Sequence, residues 1–178
     1  WDDVLYRAGV SVMSSLSDRL SYGLWQQYNP TETLRFQLDG ALQHEAGAMS
    51  PALFAQSQGD IDPFFWTTQF IRAWPEFVGS YSDMQSILAS AGLRLLEGDL
   101  VLRGSFDLTD SNLDLDASLG SAARTRVAAL GASWQRPERS SELSLEWRNY
   151  DRSDRMPAPD YDIQENTLRL GWRRQMLP

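Results

Sequence analysis

The stretch Leu34-Arg35-Phe36-Gln37-Leu38-Asp39-Gly40-Ala41-Leu42-Gln43-His44 decides how the rest of the chain is read. Leu34, Phe36, Leu38 and Leu42 fall on one side of an extended chain; Arg35, Gln37, Asp39 and Gln43 fall on the other. Successive side chains of a strand point to opposite faces, so a period of two sorts these residues cleanly. A helix would smear both sets around its circumference. Segment 33–45 is therefore a strand with one apolar and one polar face.

The same alternation recurs along the chain. In 99–109, Leu100, Leu102, Phe106 and Leu108 oppose Arg103, Ser105 and Asp107. In 141–151, Leu143, Leu145 and Trp147 oppose Ser144, Glu146 and Arg148, and in 166–175 Leu168, Leu170 and Trp172 oppose Arg169, Gly171 and Arg173. Weaker copies lie at 3–14, 18–28, 86–96 and 124–135. The run 86–96 is rich in alanine, but Glu97-Gly98-Asp99 joins it to the next strand as a hairpin would. The pattern predicts about eight strands, all antiparallel, in a single domain over 1–178.

The connections order these strands. Asn29-Pro30-Thr31-Glu32 is a tight turn, since proline fixes φ and asparagine suits a turn's start. Glu97-Gly98-Asp99 and 136–140 are also short, whereas 46–85, 110–123 and 151–165 are long. Short and long alternate from the second strand onward; only the first link, near 14–18, is short out of turn. Within 46–85, the segment from Pro63 to Val78 is the most aromatic in the chain. Phe64, Phe65, Trp66, Phe70, Trp74 and Phe77 are expected there in an inserted loop, since a ninth strand would break the order of the connections. The loop would be an interfacial element, a plug folded into the lumen, a partner-docking surface or a helix packed on the rim.

Composition narrows the function classes. The 178 residues carry 16 basic and 24 acidic side chains, a net charge of −8, and every basic residue is arginine. A nucleic-acid binder needs a basic face to displace counterions from phosphate, so that partner is not expected. There is no cysteine and one histidine, which removes disulfides, thiolate chemistry and the usual zinc ligand sets. No metal or cofactor is expected. No run of about 18 apolar residues is present, so no helix would cross a membrane, but a spanning strand leaves no such run. The chain opens on Trp1 with neither methionine nor a leader pattern, which reads as a processed form or a fragment.

The hairpins Leu20–Leu42, Leu93–Leu108 and Leu130–Trp147, and the ending Glu165-Asn166-Thr167-Leu168-Arg169-Leu170-Gly171-Trp172, resemble those of bacterial outer-membrane β-barrel proteins. Aromatic residues near strand ends (Trp25, Tyr28, Trp134, Trp147, Tyr150 and Trp172) sit where interfacial girdles would lie. Such barrels usually finish on an aromatic residue, whereas this chain continues to Met176-Leu177-Pro178. The resemblance implies an up-and-down barrel in the outer membrane, in contact with its lipid and with any chain that completes or docks on it. Its role would be structural, transport-associated (a porin or export-porin part) or in surface interaction, without enzymatic activity.

In that arrangement Arg35, Asp39, Arg103, Asp107, Glu146, Arg148, Arg169 and Arg173 would line the lumen, closing a small barrel or setting the preference of a wider pore. Two readings of other classes stand beside it. One is a soluble periplasmic or extracellular β-barrel or sandwich that binds a ligand or partner. The other is an outer-membrane lipid hydrolase using His44, which would need a serine within reach and a third group to orient the imidazole. Ala46 stands where the phospholipase pattern has serine, and no catalytic residue is assigned. Asp110, Asn112 and Asp114 have the spacing that opens a calcium loop but lack its glycine and closing glutamate, so 110–116 reads as a solvated acidic loop.

Overall fold

The computed structural model describes residues 5–14, 19–45, 47–79, 81–136 and 141–174. The expected links at 14–18 and 136–140 fall largely outside these residues, and the Met176-Leu177-Pro178 end does so wholly. Ten strands form one antiparallel sheet in which each pairs with its sequence neighbours. They are β1 (Leu5–Ser14), β2 (Leu20–Thr31), β3 (Leu34–Glu45), β4 (Ala48–Ile61), β5 (Phe64–Ala73), β6 (Met84–Leu95), β7 (Leu100–Ser111), β8 (Ala123–Arg136), β9 (Ser141–Asp154) and β10 (Asp162–Arg174).

The up-and-down order agrees with the alternation in the sequence, and two expectations are corrected. The sheet has ten strands rather than about eight, because 46–85 is not an inserted loop but contains the hairpin β4–β5. The hairpin adds two strands at once, but the link from β3 to β4 (Glu45 to Ala48) is then as brief as that from β4 to β5 (Ile61 to Phe64), so short and long connections alternate only from β4–β5 onward. Nor is the sheet closed: β1 and β10 are its two edges and do not pair with each other.

Register runs across the sheet with one irregularity, between Tyr28 and Thr31 of β2. Pro30 lies there and has no N–H to give to a ladder, so the strand absorbs it at a bulge. One row of paired residues on the polar face runs Gly9, Trp25, Asp39, Phe54, Ile71, Ser86, Thr109, Thr125, Arg152, Ile163. A neighbouring row on the other face runs Tyr6, Tyr28, Phe36, Ser57, Thr68, Ala89, Phe106, Ala128, Asn149, Asn166.

No second layer covers either face of the sheet among the described residues. The buried apolar residues are Ile71, Ala73 and Ala122, and the buried polar ones are Gln43, Ser50, Ser86, Asp110, Asn112 and Asp154. All lie toward the end of the sheet that carries the longer connections. There the β5–β6 connection folds over the polar face: Gln43 Nε2 donates to the Val78 carbonyl (2.6 Å) and Val78 N–H donates to Gln43 Oε1 (2.8 Å).

Away from that end, local packing relies on aromatic rings laid across glycines of the paired strand. The Trp66 indole covers Gly59 and donates to Ser57 Oγ (2.9 Å); the Phe65 ring covers Gly92 on the opposite face. A Cβ at Gly59 would meet the Trp66 ring, whereas one at Gly40 would meet nothing. Gly59→Ala is therefore expected to destabilise the sheet by about 1–3 kcal/mol, as overpacking does. Gly40→Ala should be neutral or slightly stabilising, since alanine loses less backbone entropy. Denaturant midpoints of the two variants would check the contrast.

Candidate functional site

Two oppositely dressed faces and a capped end are what this sheet offers to chemistry. The apolar face carries Val10 and Val12 on β1, Leu24 on β2, Leu38 on β3 and Leu53 on β4. It continues through Phe70, Ile87, Phe106, Leu130, Leu145, Leu168 and Leu170 to β10. Val10 and Leu170 are each 75% exposed and Trp172 71%. Toward the short-turn end this face bears Tyr6, Tyr28, Phe36, Phe64, Trp66, Trp134 and Trp172, with Tyr28 and Phe36 stacked at 6.4 Å. Over β1–β6 it is hollowed into a groove of about 490 Å³ lined by Tyr6, Tyr28, Phe36, Leu38, Phe70 and Ile87.

Every residue expected to line a lumen lies on the opposite, polar face. Arg35 pairs with Gln58, Asp39 with Phe54, Arg103 with Gly131, Asp107 with Val127, Glu146 with Arg169, Arg148 with Thr167 and Arg173 with Glu142. Their company differs along the sheet. Arg103 lies 5.6 Å from the Phe65 ring centroid, and Arg94 stacks on the same ring at 4.6 Å while forking onto Asp60 with bonds of 2.6 and 2.8 Å. Asp39 accepts from Gln37 Nε2 (2.8 Å) through Oδ2, and its Oδ1 is shielded without a partner among the described residues. Arg173 is only 4.0 Å from Glu142 and exposed.

The expected aromatic loop is redistributed. Phe64, Trp66 and Phe70 belong to the apolar face of β5, and Phe65 to its polar face. Only Trp74 and Phe77 follow the strand, with the Arg72 guanidinium 4.5 Å over the Trp74 ring. A short alternation hidden among four aromatics on both faces was the available signal.

The acidic segment after β7 proves to be a structural cap. Asp110, 4% exposed, receives a forked bond from Arg124 (2.7 and 2.9 Å). Arg155 Nη2 donates to the carbonyls of Ser111 and Asn112, both at 2.8 Å. Asn112 spans its own loop, donating to the Asp116 and Ser121 carbonyls and accepting from Asp116 N–H. Asp83 Oδ1 holds Leu113 N–H at 2.7 Å. Asp154, past the point where the apolar face of β9 ends at Trp147, accepts from the backbone of Ala122, Met156 and Asp160. The connections before β6 and after β7 and β9 are thus tied into one unit, and no group of acidic or histidine side chains among the described residues is arranged to hold a metal ion.

His44 closes β3 opposite Leu20 and Met49. Ser50 pairs with Gln43 on the other face, and Ser57 pairs with Phe36 and holds the Trp66 indole, so neither serine is brought to the imidazole. No helix among the described residues is long and apolar enough to cross a membrane, which says nothing of strands. Comparison with protein-family models, curated proteins and solved structures finds no match to this chain.

The backbone N–H groups of Ala122, Met156 and Asp160 hold the Asp154 carboxyl below its ordinary pKa, the Ala122 bond counting most. Ser118 does the same to Asp116, chiefly through its backbone N–H. Because folding lowers both pKa values, their contribution is fully present above the unfolded carboxylate value near ~3.9 and is lost as pH falls through the folded values. Amide-exchange protection factors at Ala122 and Ser118 should hold from pH 7 to pH ~5 and fall below pH ~4. In Asp154→Ala, the Ala122 protection should be lost at every pH.

Proposed function

We propose that this sheet is the wall of a bacterial outer-membrane β-barrel, with a structural, transport-associated or surface-interaction role and no enzymatic one. The observation that carries the reading is the apolar face: continuous over ten strands, uncovered, and edged by aromatic rings toward the short turns. An apolar patch much larger than a few hundred Å² is not left to water; it marks a membrane or a partner. On β7 the apolar positions run from Leu100 to Leu108, about 27 Å at ~3.4 Å per residue, close to the ~25 Å apolar band of outer-membrane barrels.

The band also crosses the strands obliquely. Tyr6, Tyr28 and Phe36 mark its short-turn edge on β1–β3, yet their row ends in Asn149 and Asn166, beyond its far edge on β9 and β10. On β10 the edge is Trp172, six residues further along than Asn166. That is about 20 Å of rise over nine strand spacings of ~4.8 Å, an obliquity near 25°, so the band is tilted against the strands as in a membrane barrel but by less than the usual ~35–45°.

Lipid offers no hydrogen bonds, so the free edges of β1 and β10 would have to be paired there. The soluble β-sandwich or barrel reading would instead need a second layer over the apolar face. Folding into detergent with heat-modifiable gel mobility is expected. The chain has no cysteine, so Val10→Cys with Leu170→Cys reports how the edges meet. An oxidised pair within one chain means β1–β10 closure, and a dimer means a barrel shared between chains. A freely soluble monomer without detergent and without a mobility shift would overturn the membrane reading.

A further inference from the structure

We infer that the polar face of β2–β5 is a binding track for a neutral, hydroxyl-rich oligosaccharide. Four glutamines stand in one cross-strand row: Gln27 pairs with Gln37, Gln37 with Gln56 and Gln56 with Gln69. Each side-chain amide presents a donor pair and an acceptor side by side, the pattern that vicinal hydroxyls of a sugar ring complement. Gln27 and Gln37 lean on Asn29 and Asp39, at 3.1 and 2.8 Å. The amides of Gln56 and Gln69 make no side-chain hydrogen bond to another described residue.

The adjoining row supplies what amides lack. Trp25, Asp39 and Phe54 are consecutive cross-strand partners on the same face. The Trp25 indole lies across Gly9, where any Cβ would collide with it, and is still 41% exposed. A ring seated in this way is a platform for the C–H face of a pyranose, an apolar surface with polar edges. Beside it, Asp39 Oδ1 has no donor among the described residues; it is screened by its surroundings, so a ligand hydroxyl satisfies it on a shift of the side chains around it. A carboxylate at the centre disfavours phosphate or uronic acid. Two arginines stand at the β1–β3 end of the track: Arg7 continues the row as the partner of Gln27, and Arg35 reaches Gln27 at 3.4 Å.

This track deepens the barrel reading by giving the polar face a solute, but its residues are held by the register of β1–β5 alone. The experiment is calorimetry with neutral hexasaccharides of glucose, mannose and galactose, and with a hexauronate, on the full chain in whichever medium gives a β-sheet circular dichroism spectrum. At least one neutral oligomer should bind more tightly than the hexauronate. Asp39→Ala and Trp25→Ala should each weaken it about tenfold, the scale of one lost charge-assisted bond. Gly9→Ala, which displaces the indole without touching its chemistry, should weaken it too, and Leu130→Ala on the apolar face should not. Variants are compared only where the spectrum is retained, and Asp39→Asn, which keeps the side chain's shape, serves should Asp39→Ala not fold. No binding by any neutral oligomer, tighter binding of the hexauronate, or unchanged affinity in the track variants would overturn the proposal. Sugar binding by detergent-free monomer would sink the membrane reading and leave the track standing.

Discussion

The backbone ladder is the interaction on which everything else in this molecule depends. A soluble domain of this size hides large side chains between layers, and the layers hold one another in place. Here no large side chain is fully buried among the described residues. Cohesion comes from nine antiparallel pairings, from rings set across glycines and from the capped end. A slip of one residue in any pairing would move a strand's leucines to the polar face and its arginines to the apolar one. The strict alternation of β3, β7, β9 and β10 is what makes such a slip costly. The faces and the register therefore specify each other.

The capped end fixes what the ladder alone would leave loose. Connections in a sheet without a core have little to pack against, and in this chain they are tied by charge and backbone bonds instead. Asp110 is buried with the Arg124 fork and has Arg155 at 3.9 Å, so its carboxylate is compensated where an unpaired one would be expensive. Arg155 meanwhile ties the end of β9 to the carbonyls that follow β7. The short-turn end needs no such device, because connections as brief as that between Ile61 and Phe64 have almost no conformational freedom to remove.

Legibility in the sequence followed the purity of the alternation. Strands with leucine on one face and charge on the other were readable residue by residue, and with them the side on which all eight lumen candidates lie. β4 was not, because Pro51 reads as a breaker and its apolar face is diluted by Ala55, Ser57 and Gly59. β5 was not, because Phe64, Phe65 and Trp66 put aromatic mass on both faces in succession. Phe65 is on the polar face for a reason no linear pattern contains: it fills the space over Gly92 and carries the Arg94 and Arg103 guanidiniums. The Asp110–Arg124 fork and the glutamine row are likewise products of register. Their members are far apart along the chain and ordinary in composition, and only the pairing of strands makes them neighbours.

The polar face is itself divided, and the division bears on what a closed wall would enclose. Across β2–β5 it is chiefly amide, with Gln27, Gln37, Gln56, Gln58 and Gln69. Across β7–β10 it is chiefly ionic, with Arg103, Asp107, Glu142, Glu146, Arg148, Arg169 and Arg173. An amide surface binds neutral solutes by hydrogen bonds without a strong field, whereas an ionic surface of both signs orders water and pairs with itself. Curling the sheet until its edges meet would set one against the other across a narrow interior. A solute held on the amide side would then face a wall of mixed charge rather than a second copy of its own site. Such a polarised interior has one adhesive side and one wet side, and it follows from which strands carry glutamine and which carry arginine.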